Sequence, residues 1–521
     1  MKKQLIPGLF LLLATCVLNG QRYLNSGHKV SVIPEESVHI RFDCPLRPWH
    51  GFGVNYVQSA QTRDYTLYQQ DYSGFSFASE ENRSKVMEMI FGEDGLRPGL
   101  TKLFLDPFHE GMTKAGNDNE DPFQIDLDGY DHTSTTEWIR YFNREGFRMM
   151  KNWGGSFTSI ATLYSPAPWM TRQKYVLGRD ADPGEKYEMA EYMASWVKYL
   201  LETEGIPVKY LSFHNEGDAY YRWPRDGSNP GEDHRDYNMY WPPEQVVEFL
   251  KITREILDAN GMQDVGLSNG ETQNWYRFDM WGYARAIVDD PLALENLELI
   301  TSHSFANTDI PNSVYYGDYR STGQDLIHRY KPEIPVWVTS RPWAEGPDFV
   351  ENIRRDIYES KANGVIPWAL IAGEKEWLGS GGAYNDGSMD KAFLIWKDGS
   401  LEISDRYYYY KQVSRAGQPG MLVAEVISLD PAIGAMAFKG ADAFQQDALV
   451  LVNKSNENKN ISLFIHGSDS SEFRVYRTCK GERYQDLGTM TLSPEGSMIY
   501  ESPARSVTTL FSTQNPSSGR N

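Results

Sequence analysis

A chain of 521 residues is longer than one small core organises, and 40% hydrophobic with 23% charged residues is ordinary for a folded globular protein. The formal net charge of −20, with no basic cluster, argues against a nucleic-acid partner, because neutralising phosphates takes grouped Lys and Arg. The 14 Trp and 32 Tyr offer flat faces with polar rims that suit either sugar stacking or a large aromatic core.

Met1-Lys2-Lys3 followed by the apolar run from Leu5 to Ala14 reads as an export signal over residues 1–20, too short to span a bilayer stably. Leu13-Ala14-Thr15-Cys16 resembles a bacterial lipoprotein box, so a lipid anchor at Cys16 and simple cleavage near Gly20 are the two readings. The product is expected to be exported: periplasmic, tethered at the cell surface or secreted. Two cysteines remain, Cys44 and Cys479, which either pair or stay as thiols.

Strand-like alternation at Lys29–Ile33 and Val38–Phe42 marks an N-terminal segment, 28–48. A regular rhythm follows over 49–415. Apolar runs occur at Phe52–Tyr56, Leu103–Asp106, Ser159–Tyr164, Tyr210–Phe213, Val265–Ser268, Leu299–His303, Pro335–Thr339 and Val365–Leu370. Helix-period segments such as Lys186–Leu201, Pro243–Asn260 and Phe349–Asn363 separate them. Eight strands alternating with helices predict an α/β chain built on a (β/α)8 TIM barrel. An open doubly wound sheet is the alternative, but no Gly-rich dinucleotide fingerprint follows the first strand. Over 420–512 short strands separated by turns predict a β-sandwich side domain, which the N-terminal strands complete because an isolated hairpin is marginal in water. A polar tail, 513–521, is expected to be disordered.

Such barrels carry their chemistry at the C-terminal strand ends. Those ends supply Asn55; Asp106 and Glu110; Ser165 and Trp169; Asn215-Glu216; Asn269 and Glu271; His303; Thr339-Ser340; and Glu374 and Glu376. Paired carboxylates flanking a bond are what glycoside hydrolysis needs. No HxxEH or CxxC metal spacing and no GxSxG elbow occurs, so neither metal nor cofactor is expected.

Trp49-His50-Gly51-Phe52-Gly53, Tyr164-Ser165-Pro166-Ala167-Pro168-Trp169-Met170, Phe213-His214-Asn215-Glu216 and the stretch Tyr409 to Gly420 resemble motifs of glycoside hydrolase family 30. The resemblance spans about Val30 to Leu510 and implies a retaining-clan barrel with a side sandwich. It also implies an oligo- or polysaccharide substrate, Glu216 as general acid/base and Asn215 on a sugar hydroxyl. For the acid role the Glu216 pKa is expected to rise toward neutrality. The sequence departs from the family on the seventh strand, where the nucleophilic glutamate position holds Ser340. Either another carboxylate serves, with Glu271, Glu345, Glu374 and Asp106 as candidates, or Ser340 is an inactivating change, or the protein binds sugars without cleaving them. Trp169, Trp223, Trp275, Trp343 and Trp377 are candidate sugar floors. His303 is either a site residue or a satisfied core histidine, and Asn55 either binds a hydroxyl or caps a loop.

Overall fold

The computed structural model describes residues 37–56, 75, 78–105, 118–133, 136–164, 166–175, 178–228, 238–306, 319–373, 390–396, 398–441 and 445–513. The leader with Cys16, the strand at 29–33, Asp106, Glu110, Ser165, Glu374, Glu376, Trp377 and the end of the tail lie outside the described residues. Among the described residues, no helix is long and apolar enough to cross a membrane.

The first strand, β1 (Ser37–Pro48), belongs to the side domain. Eight parallel strands then close a barrel: β2 (Gly51–Asn55), β3 (Leu100–Leu105), β4 (Thr158–Leu163), β5 (Val208–Ser212), β6 (Gly266–Ser268), β7 (Leu297–Ser302), β8 (Val336–Arg341) and β9 (Gly364–Pro367). Helices on the outside bury one face of each strand and side chains in the barrel bury the other. Strands such as Leu-Thr-Lys-Leu-Phe-Leu in β3 are therefore enclosed at every position. Leu100, Ile160, Tyr210, Leu299, Trp337 and Ile366 form one interior cluster, so the barrel is filled rather than open.

A small sheet of β10 (Ile371–Gly373), β11 (Phe393–Ile395) and β12 (Leu401–Ile403) leads into the helix Asp405–Ala416. That helix joins the two parts. On one side Tyr410 donates its hydroxyl to Gly53 O at 2.5 Å. On the other, Gln412 Nε2 donates to Thr478 Oγ1 at 2.9 Å and Gln412 Oε1 accepts from Thr509 Oγ1 at 2.6 Å. The side domain follows: β13 (Leu422–Ser428), β14 (Ile433–Lys439), β15 (Ala448–Asn453), β16 (Lys459–His466), β17 (Glu472–Cys479), β18 (Glu482–Thr491), β19 (Ser497–Ser502) and β20 (Ser506–Ser512). With β1 they form nine strands in the order β18-β17-β20-β15-β14-β13-β1-β16-β19. Residues from both ends of that order, Phe473 and Val475 with Leu463 and Met498, share one apolar cluster, so the sheet closes over itself as a sandwich. β1 runs antiparallel to β13 and parallel to β16. Cys44 and Cys479 are unpaired thiols.

The helix expected over Phe349–Asn363 runs Pro347–Tyr358 instead. The backbone turns left-handed at Lys361 (φ 60°) to deliver Gly364 into β9.

Candidate active site

Toward the C-terminal end of the barrel the interior side chains turn from apolar to polar. One period-two step beyond Leu100, Ile160, Tyr210, Leu299 and Trp337 stand Lys102, Thr162, Ser212, Thr301 and Thr339, all buried. An enclosed lysine requires an anion. Lys102 Nζ is bonded to Glu271 Oε2, and neither side chain is exposed. Thr162 Oγ1 donates to the other Glu271 oxygen, Thr339 Oγ1 donates to Oε2 at 2.6 Å, and His303 Nε2 lies 3.1 Å from Oε2. Burial alone would push the Glu271 carboxyl up, but Lys102 and His303 overcome it and hold the group at about 2.

Glu216 follows β5 by way of Phe213-His214-Asn215. Its backbone N–H donates to Glu271 O at 2.7 Å, and Glu271 N–H donates to His214 O at 2.9 Å, so the two segments hold each other through the main chain. Gly270 has φ +77°, and a Cβ there would collide with the His214 ring, so this close approach needs glycine. Glu216 itself is left-handed (φ 54°), as is Ser304 (φ 56°) beside His303. Non-glycine residues held there are strained, and such strain gathers at functional sites.

The Glu216 side chain is 6% exposed. Its Oε2 accepts from Arg222 Nη2 at 2.6 Å and from Gln273 Nε2 at 2.7 Å, while His303 Nδ1 stands 3.1 Å from Oε1. Burial opposes ionisation, but the Arg222 guanidinium, His303 and Gln273 together hold the carboxyl well below the usual range. The expectation of a raised Glu216 pKa is therefore corrected. It took account of burial and missed the three donors that burial brings with it.

His303 lies between the two glutamates, one ring nitrogen facing each. Ionised carboxylates only accept, so both nitrogens carry hydrogen and the ring is an imidazolium. Burial works against that charge, and the two carboxylates outweigh it and raise the His303 pKa. Bonds of 3.1 Å on either side place the His303 ring in the space between the two carboxyl groups.

Asn215 joins this group through Oδ1, which accepts from Lys102 Nζ at 3.4 Å. Asn55 is fully buried at the end of β2, and neither atom of its amide has a hydrogen-bond partner among the described residues. Ser340 is also fully buried with its Oγ unpartnered among the described residues, and the register between β8 and β9 shifts at this point, between Val338 and Arg341. Glu345 is not part of the site. It is exposed in the turn before the helix Pro347–Tyr358, near Arg505 of the sandwich. Trp275 is fully buried and Trp343 stacks on Phe349 at 4.4 Å, so the core covers these two rings, while Trp169 and Trp223 are at most 8% exposed.

Sequence reasoning missed Lys102, Thr162, Arg222, Gln273 and Arg277, whereas Thr339 was named at its strand end. Lys102 carried a signal, a lone cation inside an apolar strand. Two open aromatic rings follow Glu216 closely in the chain, on the turn that carries Arg222. Tyr220 and Tyr221 are 53% and 54% exposed. Arg277 holds this rim to the site, lying 5.1 Å from the Tyr221 ring and 4.4 Å from the Trp281 ring and pairing with Asp218 at 3.0 Å.

No protein-family model matches the sequence, and no curated protein matches it. Solved structures do match its shape. A GH30 endoxylanase from Clostridium papyrosolvens C71 superposes with a TM-score of 0.62 at 16% identity, over 92% of this chain and 100% of that one. SrfJ from Salmonella typhimurium gives 0.67 at 14% identity, over 94% and 95%. The endo-β1,6-glucanase BT3312 gives 0.64 at 16% identity, over 94% and 96%. Taken with the closed barrel and its side sandwich, these likenesses establish that the chain has the fold of family 30 and related clan A glycosidases.

Proposed function

We propose that the chain hydrolyses a β-linked oligo- or polysaccharide at the barrel mouth, with Glu216 meeting the glycosidic oxygen. The observation that carries this reading is the His303 ring spanning Glu216 and Glu271 at the C-terminal strand ends. In the free protein the proton resides on His303. A sugar oxygen that displaces Arg222 from Glu216 removes the strongest attraction keeping that carboxyl ionised. The proton then passes across the 3.1 Å bond to Glu216 and on to the leaving oxygen, which keeps the electron pair of the broken C–O bond. Glu271 acts through His303 as a positioning residue, keeping the ring charged and oriented. With Ser340 in place of a carboxylate, water attacks the anomeric carbon directly and the configuration inverts, and the proton that the water releases returns through solvent to the neutral His303, restoring the imidazolium. Tyr220 and Tyr221 are the stacking surface for the neighbouring sugar. The leader at 1–20 supports action outside the cytoplasm, with Cys16 the site of any lipid anchor.

The test is a panel of aryl glycosides and polysaccharides with wild type and Glu216→Gln. Full activity in the variant sinks the reading, and a retained anomer in fresh product removes the direct attack by water. A second reading, sugar binding without cleavage, is favoured by the buried Ser340 and by the four donors that occupy Glu271. It predicts binding without turnover, and turnover gained in Ser340→Glu.

A further inference from the structure

At the opposite end of the barrel, where β2, β3 and β4 begin, a cleft of about 1120 Å3 opens between the barrel, the helix Asp405–Ala416 and the sandwich. Its walls carry four cations, Arg97, Lys411, Arg415 and Arg474, against two acids, Glu93 and Asp94. Such a balance is unexpected in a chain with 20 more acidic than basic residues. Arg474 is paired with Asp486, and Arg97 approaches Glu93 only at 4.0 Å. Among the described residues, Lys411 and Arg415 have no carboxylate at ion-pair distance.

What holds these cations is backbone. Lys411 Nζ donates to Asp94 O, Arg415 Nη1 to Glu93 O at 2.7 Å and Gly95 O at 3.3 Å, and Arg97 Nε to Glu93 O at 2.5 Å. These carbonyls follow the helix Glu80–Phe91, whose negative end attracts cations. Capping explains where the cations sit and leaves hydrogens over, two on Lys411 and those on Nε and Nη2 of Arg415. Aromatic faces fix the charges from the side. Lys411 Nζ is 4.9 Å from the Tyr484 ring centroid, Arg97 is 5.0 Å from that of Trp153, and Tyr476 stacks behind Tyr484 at 4.7 Å. Burial and the neighbouring Arg415 push the Lys411 ammonium down to about 8, a cost that an anion in the cleft would relieve.

We propose that this cleft binds an acidic saccharide, its carboxylate or sulfate held by Lys411 and Arg415 and its sugar rings filling the length of the cleft beyond them. A bare oxyanion would leave most of the space empty, whereas small-molecule sites of about 300–1,000 Å3 hold ligands of several rings. The site is at the other end of the barrel from Glu216 and does not depend on what Glu216 does.

Calorimetry on the full chain carrying Glu216→Gln tests it. The probes are an oligogalacturonate, a sulfated oligosaccharide, inorganic sulfate and a neutral gluco-oligosaccharide. Binding of at least one acidic saccharide is expected, weakening as salt rises. Lys411→Gln should weaken it about tenfold, the factor for one lost charge-assisted hydrogen bond, while Lys411→Arg restores it. The salt titration needs no variant, so a Lys411 substitution that misfolds leaves the test intact. No binding of either acidic saccharide, binding that ignores salt, equal binding of the neutral one, or sulfate binding as tightly as the saccharides would each overturn the proposal. Hydrolysis at the mouth, present or absent, reports separately on the catalytic reading.

Discussion

Replacing Lys102 by Met probes the charge balance beneath the mouth. Met keeps most of the volume, so the change removes a charge rather than opening a cavity. Glu271 is then left with His303, Thr162 and Thr339. Its carboxyl now sits at about 2 against an ordinary 4.5, and a depression of that size favours the ionised form by about 3 kcal/mol, with Lys102 the largest favourable contributor. Loss of one member of a fully buried pair costs about 3–5 kcal/mol by direct comparison, in agreement. Because the folded value is depressed, this stabilisation is present above pH 4.5 and is lost only as pH falls through about 2. At pH 7 wild type has all of it and Lys102→Met has lost most. Urea unfolding at pH 7 should place Lys102→Met and Glu271→Gln each about 3 kcal/mol below wild type. The double variant should recover at least about 2 kcal/mol relative to the sum of the singles. Singles within about 0.5 kcal/mol of wild type, or a purely additive double, would refute the reasoning.

Other consequences can be checked alongside. His303→Asn should lower kcat about 100-fold or more with little change in KM, and wild-type turnover should decline as pH rises through the raised His303 pKa; a flat profile to pH 9 contradicts the proton route. Arg222→Met removes the main attraction keeping Glu216 ionised, so the alkaline limb of kcat/KM, where the donated proton is lost, should move to higher pH, as a pH series on one aryl glycoside would record. Tyr221→Ala should weaken binding by about 0.5–1.5 kcal/mol, read as KM or Kd, without altering that profile. Glu191 is buried; burial first, then Asp118 and Glu188, push it up to about 8. Its favourable contribution is therefore present below pH 4.5 and lost as pH rises through about 8. Glu191→Gln should melt higher than wild type at pH 9 and close to it at pH 4, and a lower Tm at pH 9 would contradict this.

The barrel was legible because its strands are short apolar runs with breakers at both ends. All eight were located, with edges displaced by up to three residues, as at β3 and β9. In the side domain the runs Met421–Val426, Ala448–Val452, Ile461–Ile465 and Phe473–Tyr476 mark β13, β15, β16 and β17, whereas β14, β18, β19 and β20 were not found. β14 and β20 are buried at almost every position and β18 is largely solvent-facing, so pairing with neighbours rather than an in-out alternation defines them. At the site, Glu216, Glu271, Asn215 and His303 were legible as polar residues at strand ends. Arg222 and Gln273 were not, because they reach Glu216 from loops whose course no local pattern specifies. The same blindness reversed the expected direction of the Glu216 pKa. Burial can be guessed from sequence, whereas the hydrogen-bond donors that accompany it have to be located in space.

The position of β1 has a consequence for the order in which the molecule can assemble. Ser37–Pro48 leaves the ribosome before any part of the barrel, yet its partners, β13 and β16, are among the last segments made. The barrel strands lie between them in the chain and can close on contacts of their own, while the earliest strand stays unpaired until synthesis is nearly complete. Truncation anywhere before Leu422 therefore strands an exposed β edge at the amino end. A protease that cuts there during refolding would report directly on when the two ends of the chain meet.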